Sequence, residues 1–141
     1  MTLRRPTALL LLAVLPLALG GCAPAAVGVV DTNRVLTESA RALSYQRQLD
    51  EQEKAMAADL RLLTGRLPPA DLEARRNQYL KELEALKAEL ERRLNEEVRA
   101  VIAQVVRERR LRYGVLVKGP IIHAQPGRIV DITDEVIERL R

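Results

Sequence analysis

Seven arginines crowd into residues 92–112 (Arg92, Arg93, Arg99, Arg107, Arg109, Arg110 and Arg112) against three glutamates, Glu96, Glu97 and Glu108, a local net charge of +4. A guanidinium offers a planar fork of donors that matches phosphate and carboxylate oxygens. Arg92, Arg93 and Arg99 are therefore candidate anion-binding residues. The more ordinary reading is a solvated helix face whose charges pair within the helix. Little else in the chain carries reactive chemistry. His123 is the sole histidine, so a metal site built on several histidines is excluded; it reads as an edge or partly buried strand residue. Asp131 and Asp134 resemble a carboxylate pair, but helix capping accounts for both. No nucleophile has a recognisable base partner, and there is no glycine-rich phosphate loop. The chain reads as a binding protein and not an enzyme, with no metal and no cofactor. Nucleic acid is disfavoured as a partner, because there is no Trp or Phe and only three Tyr to stack on bases.

The one cysteine, Cys22, cannot form an intramolecular disulfide. It follows a positive pair, Arg4 and Arg5, and a short apolar run from Ala8 to Leu19, the pattern of an export signal. That run is too short for a comfortable transmembrane helix, which needs about 20 apolar residues. Leu19-Gly20-Gly21-Cys22 resembles a bacterial lipobox, in which the cysteine thiol accepts a diacylglyceryl group. The expectation is a signal peptide over residues 1–22, cleaved before Cys22, and a membrane tether on Cys22. The alternative is ordinary cleavage after Ala23-Pro24-Ala25, with Cys22 lost. Ala23 directly after the cysteine leans the tethered form toward the outer membrane. Loss of Arg4 and Arg5 leaves 21 basic against 19 acidic residues, a net charge of +2, too small for whole-molecule attraction to nucleic acid.

The elements that position these residues follow from the breakers. Val27, Val29 and Val30 form a β-rich run that ends in Asp31-Thr32-Asn33, a polar trio able to cap a helix. Residues 34–64 contain no Gly or Pro, and Leu49, Met56 and Leu63 recur every seven residues. Leu36 and Leu43 keep that interval one position out of phase, which predicts a change of face near Tyr45, by a bend or a register slip. Gly65 and Pro68-Pro69 end this helix. A second helix runs from Ala70 to about Leu111. Its apolar positions, Tyr79, Leu83, Leu86, Leu90, Leu94, Val98, Val101 and Val105, contain pairs spaced by eleven, the period of a nearly straight helix. Two long helices, roughly 43 and 61 Å, joined by a short turn near 65–70 are expected to run antiparallel as a coiled-coil arm over residues 34–111. Met56, Leu60, Leu63, Tyr79, Leu83 and Leu86 are its candidate contact residues.

Beyond Tyr113, Gly114–Val117 reads as a strand, Lys118-Gly119-Pro120 as a turn and Ile121-Ile122-His123 as a second strand, making a hairpin. Ile129 and Val130 are expected to be extended, and a last helix starts near Asp131 with Thr133 as cap and Ile132 and Ile137 as a hydrophobic staple. The class is α+β, with a body formed by residues 23–33 and 112–141. With so few large side chains one copy has little to bury, and so few strands leave edges that neighbouring copies would close. Val27, Val29, Val115, Val117, Ile121 and Ile122 are the candidate residues of that shared body.

Three stretches resemble the Skp/OmpH family of periplasmic chaperones: residues 27–36 (VGVVDTNRVL), 92–97 (RRLNEE), and 121–126 (IIHAQP) with 130–137 (VDITDEVI). The resemblance spans essentially all of residues 26–141. It implies a homotrimer whose β-segments form a central barrel and whose arms enclose a cavity that holds unfolded outer-membrane proteins without ATP. It also implies that Arg92 and Arg93 belong to a lipopolysaccharide site. The arms are shorter than in the best-known members, and those are soluble in the periplasm and not lipid-tethered. The rival expectation is a lipid-anchored coiled-coil adaptor that binds one folded partner in the envelope.

Overall fold

A computed structural model describes residues 26–119 and 127–141; Cys22, Ile121, Ile122 and His123 lie outside them. The described chain is α+β: a three-stranded parallel sheet and four helices, two of them long.

Strand β1 (Val27–Asp31) is a β-branched run, and it ends where the Asp31 carboxylate accepts hydrogen bonds from Asn33 N at 2.9 Å and Arg34 N at 3.4 Å. The polar trio thus caps helix α1 (Thr32–Glu38), as its residue types dictate. The bend expected near Tyr45 falls earlier, at Ser39, in extended geometry (φ −75°, ψ 135°). Ser39 leaves α1 by donating its N–H to Val35 O, and its hydroxyl accepts from Ala42 N at 3.2 Å to start helix α2 (Ala40–Leu63). The second anchor of that corner is Arg41 N donating to Leu140 O at 2.8 Å. A local cap and a distant carbonyl therefore locate the break; the shift of heptad phase is its downstream trace. Because of it, α2 has 24 residues and is about 36 Å long.

Gly65 ends α2 at φ 82°, a left-handed conformation suited to glycine. Pro68 and Pro69 then begin helix α3 (Pro69–Glu108), 40 residues long. Tyr79 Oη donates to Asp59 Oδ2 at 2.5 Å near the connection, and Tyr45 Oη donates to Glu97 Oε1 at 2.7 Å far from it. Helix α3 stops by a Schellman turn: Arg110 N donates to Arg107 O and Leu111 N to Val106 O. The left-handed residue of this turn is Arg110, at φ 54°, where glycine is usual.

The turn delivers β2 (Gly114–Val117) alongside β1. The sheet has the order β2-β1-β3, with β3 at Ile129–Asp131, and both pairings are parallel. The expected hairpin partner of β2, Ile121–His123, lies outside the described residues. The parallel pairing of β1 with β2 was not foreseen. It follows from the connection: the two long helices carry the chain back to the starting end of β1, the crossover that parallel strands need. Gly28 and Gly114 are register partners. A Cβ on Gly114 would collide with Ile102 Cγ2, and one on Gly28 would lie 2.9 Å from Ile132 Cδ1. These two glycines let α3 and the last segment seat directly on the strands.

Helix α4 (Thr133–Arg139) closes the body. Thr133, expected as its cap, is instead its first residue. Its hydroxyl accepts from Asp31 N at 3.0 Å and donates to Asp131 Oδ1 at 2.6 Å, tying β1 to β3. The N-cap position is Ile132, whose aliphatic side chain cannot cap, and the Asp131 carboxylate just before it accepts from Thr133 N at 2.9 Å. Ile132 is buried and Ile137 packs half-buried against the same cluster. Val30, Val35, Val98, Ile102, Val105, Ile132, Val136 and Leu140 form that core.

Candidate interaction surfaces

Alternation along the strands assigns the sheet two faces. Gly28, Val30, Gly114, Leu116 and Val130 share the face on which α3, Leu111 and Ile132 sit. Val27, Val29, Val115 and Val117, the described residues of the candidate shared body, all fall on the opposite face. Ile129, the partner of Val27, joins them there. Val115 is 38% exposed and Val27, Val117 and Ile129 are half-buried, whereas Val29 is buried. This face thus gathers apolar residues that are about ninety positions apart in the chain, and by the same alternation the carboxylates Asp31 and Asp131 lie at its end.

The arm candidates divide by burial. Met56 is buried (6% exposed), so it packs within the chain and presents little surface; Leu60, Leu63, Tyr79, Leu83 and Leu86 are half-buried. The two phenols are tied down: the Asp59 carboxylate holds the Tyr79 hydroxyl above the usual tyrosine pKa, and Glu97 does the same for Tyr45. The Arg75 guanidinium lies 4.9 Å from the centre of the Tyr79 ring. A groove of about 460 Å³ opens where α1, α2 and α3 meet, lined by Leu36, Leu43, Leu49, Leu90 and Leu94 with Tyr45, Lys87 and Glu91 at its border. Leu36 and Leu43 are 48% and 44% exposed. Their out-of-phase spacing was the trace they left in the sequence.

The arginine cluster separates into two groups. Arg92 pairs with Glu96 at 2.7 Å and Arg93 pairs with Glu89, each one turn away on α3. These two guanidiniums are engaged on their own helix, as the solvated-face reading expects. Arg109 pairs with Glu135 at 2.6 Å, and Arg139 pairs with Glu108 at 2.5 Å and with Glu135 at 2.7 Å, fastening α4 to the end of α3. The Arg139 guanidinium pushes the Glu108 carboxyl down to about 2.

Arg99, Arg107 and Arg112 make no ion pair among the described residues. They border a groove of about 600 Å³ between α3 and β2, with Ile102, Val106 and Leu116 as its apolar lining. Sequence reasoning grouped Arg99 with Arg92 and Arg93 as anion-binding candidates, and it counted Arg107 and Arg112 in the basic cluster without singling them out. The missing signal was the parallel placement of β2, which brings Arg112 and Leu116 beside the helix. Among the described residues no group of three or more His, Cys, Asp and Glu is placed to hold a metal, and no helix is long and apolar enough to cross a membrane.

No family model, no curated protein and no solved structure matches the chain.

Proposed function

We propose that the chain is an ATP-independent holding chaperone of the Skp/OmpH kind, working as a homotrimer in the bacterial envelope on unfolded outer-membrane proteins. In this reading α2 and α3 form an antiparallel hairpin arm. The Tyr45–Glu97 and Tyr79–Asp59 contacts support that arrangement, since the outer end of α2 meets the start of α3 and its inner end meets the far part of α3. The observation that carries the trimer is the sheet face of Val27, Val29, Val115, Val117 and Ile129. Parallel sheets are ordinarily covered on both faces, and in the described chain the helices α3 and α4 serve the other one. Further copies packed through this face complete the body and leave the arms projecting.

The half-buried Leu60, Leu63, Leu83 and Leu86 and the Leu36–Leu43 groove offer weak, exchangeable contacts to exposed apolar side chains. Three arms add avidity without one deep site. Release is driven by the client's own more favourable folding. The chain is exported and tethered through acylated Cys22, with the outer membrane favoured.

The test dilutes a urea-unfolded outer-membrane β-barrel into buffer and follows light scattering with the mature protein present, alongside the solution mass by multi-angle scattering. A trimer that suppresses aggregation at one trimer per barrel is expected. A monomer, or a trimer that leaves the scattering unchanged, overturns the proposal. Capture of one folded envelope protein in place of unfolded barrels would instead identify a lipid-anchored adaptor.

A further inference from the structure

The groove between α3 and β2 has a chemistry distinct from the arms and lies on the sheet face opposite the valines. Arg99 and Arg107 stand on one stripe of α3, two helical turns apart, which is about 12 Å along the axis. Ala103 lies midway between them and keeps the space open with its small side chain. Arg112, beyond the Schellman turn, borders the same groove with its guanidinium 6.0 Å from the Tyr113 ring centre. All three arginines are exposed, and none has an ion-pair partner among the described residues; Glu108 and Glu135 at this end are engaged with Arg109 and Arg139. Below them Leu116 is 40% exposed beside half-buried Val106.

Cations in a row above an apolar floor are complementary to a ligand whose charges are also in a row. A single phosphate headgroup would call for guanidiniums that converge on one point, and Arg99 and Arg107 leave α3 about 12 Å apart. An extended polypeptide shows every second side chain on one face at intervals of about 6.7 Å. Carboxylates four residues apart therefore span about 13 Å, the separation of Arg99 and Arg107, while the alternate apolar side chains turn toward Val106 and Leu116. We propose that this groove binds an extended acidic–apolar peptide segment, selected by alternating carboxylate and aliphatic side chains. The site goes beyond the holding activity: it recognises a sequence pattern, whereas the arms recognise exposed apolar surface of any order.

The test uses the full mature chain and a fluorescein-labelled peptide of about eight residues, roughly 26 Å when extended, alternating Glu and Val, read by fluorescence anisotropy. Binding is expected to weaken about tenfold or more in the Arg107→Glu/Arg112→Glu double variant and to be unchanged in Arg92→Glu/Arg93→Glu. A peptide alternating Lys and Val should not bind. Circular dichroism checks the fold, and Arg99→Gln, a neutral change at one exposed residue, gives a second reading if the double variant does not fold. Absence of peptide binding, or binding that ignores these arginines, overturns the proposal. So does binding of phosphatidylglycerol vesicles through the same arginines when the peptide fails, which would make the groove a lipid site. Loss of aggregation suppression with peptide binding intact would sink the holding activity and leave the groove standing.

Discussion

The body and the arm are built from the same kinds of residue but held by different forces. In the body, Val30, Val105 and Val136 have no exposed surface, and Ile132 and Val35 have 1%. Along α2 and the outer part of α3, only Ala42, Met56 and Leu90 are buried before the helix reaches Val98. Much of the arm is carried by helix propensity and by ion pairs within a turn, such as Lys87–Glu91 and Arg92–Glu96, each worth only a few tenths of a kcal/mol. Close packing, which fixes one arrangement, is confined to the base. The arm is thus the part of the molecule suited to changing its contacts, and the body the part suited to keeping them.

Removing core volume sets the two regions furthest apart. Ile132→Ala should destabilise the protein by about 3 kcal/mol, because the site is enclosed by strands and helices and cannot collapse. Leu83→Ala, at a half-buried position of the arm, should cost about 1 kcal/mol. Urea unfolding followed by circular dichroism measures both, and equal losses would erase the contrast. A smaller effect of opposite sign is expected where the arm enters the body. Arg110 holds φ 54° in the Schellman turn, so Arg110→Gly should raise stability by about 1 kcal/mol, seen as a higher melting temperature. The smallest effect concerns the clasp between α3 and α4. The folded Glu108 carboxyl sits near 2, below its ordinary value of 4.5. Its contribution is therefore present above the unfolded value and fades as pH falls from about 4.5 toward 2. Thermal melts at neutral pH and at about pH 3 should converge for Glu108→Gln and the parent chain, with the parent losing more on acidification.

The elements governed by local chemistry were legible in the sequence. Asp31 as a cap, Gly65 as a terminator and Pro68-Pro69 as the end of the first helix each act within a turn of themselves, and each is where its residue type puts it. Features that depend on distant partners were not. Ser39 breaks the helix partly because Leu140 O, a hundred residues on, takes the N–H of Arg41. Thr133 spends its hydroxyl on β1 and β3 because Asp31 N arrives beside it. Ile102 was absent from the eleven-residue stripe, yet it is buried with Val98 and Val105. The stripe turns at that point because α3 leaves α2 and meets the strands. For the same reason the candidate arginines were grouped by sequence proximity, while their partners, Glu89 and Glu96 for two of them and β2 for the third, separate them in space.

Strand β1 sits in the middle of the sheet, yet it is the first described element, and both of its neighbours come from the last thirty residues. As the chain is synthesised, β1 has nothing to pair with until nearly every other described residue has followed. Loops of about a hundred residues must then close at once, a slow and cooperative step. The late arrival of β2 and β3 makes maturation a check on completeness. A copy that ends before Gly114 can wind its helices, but it leaves β1 without either of its strand partners.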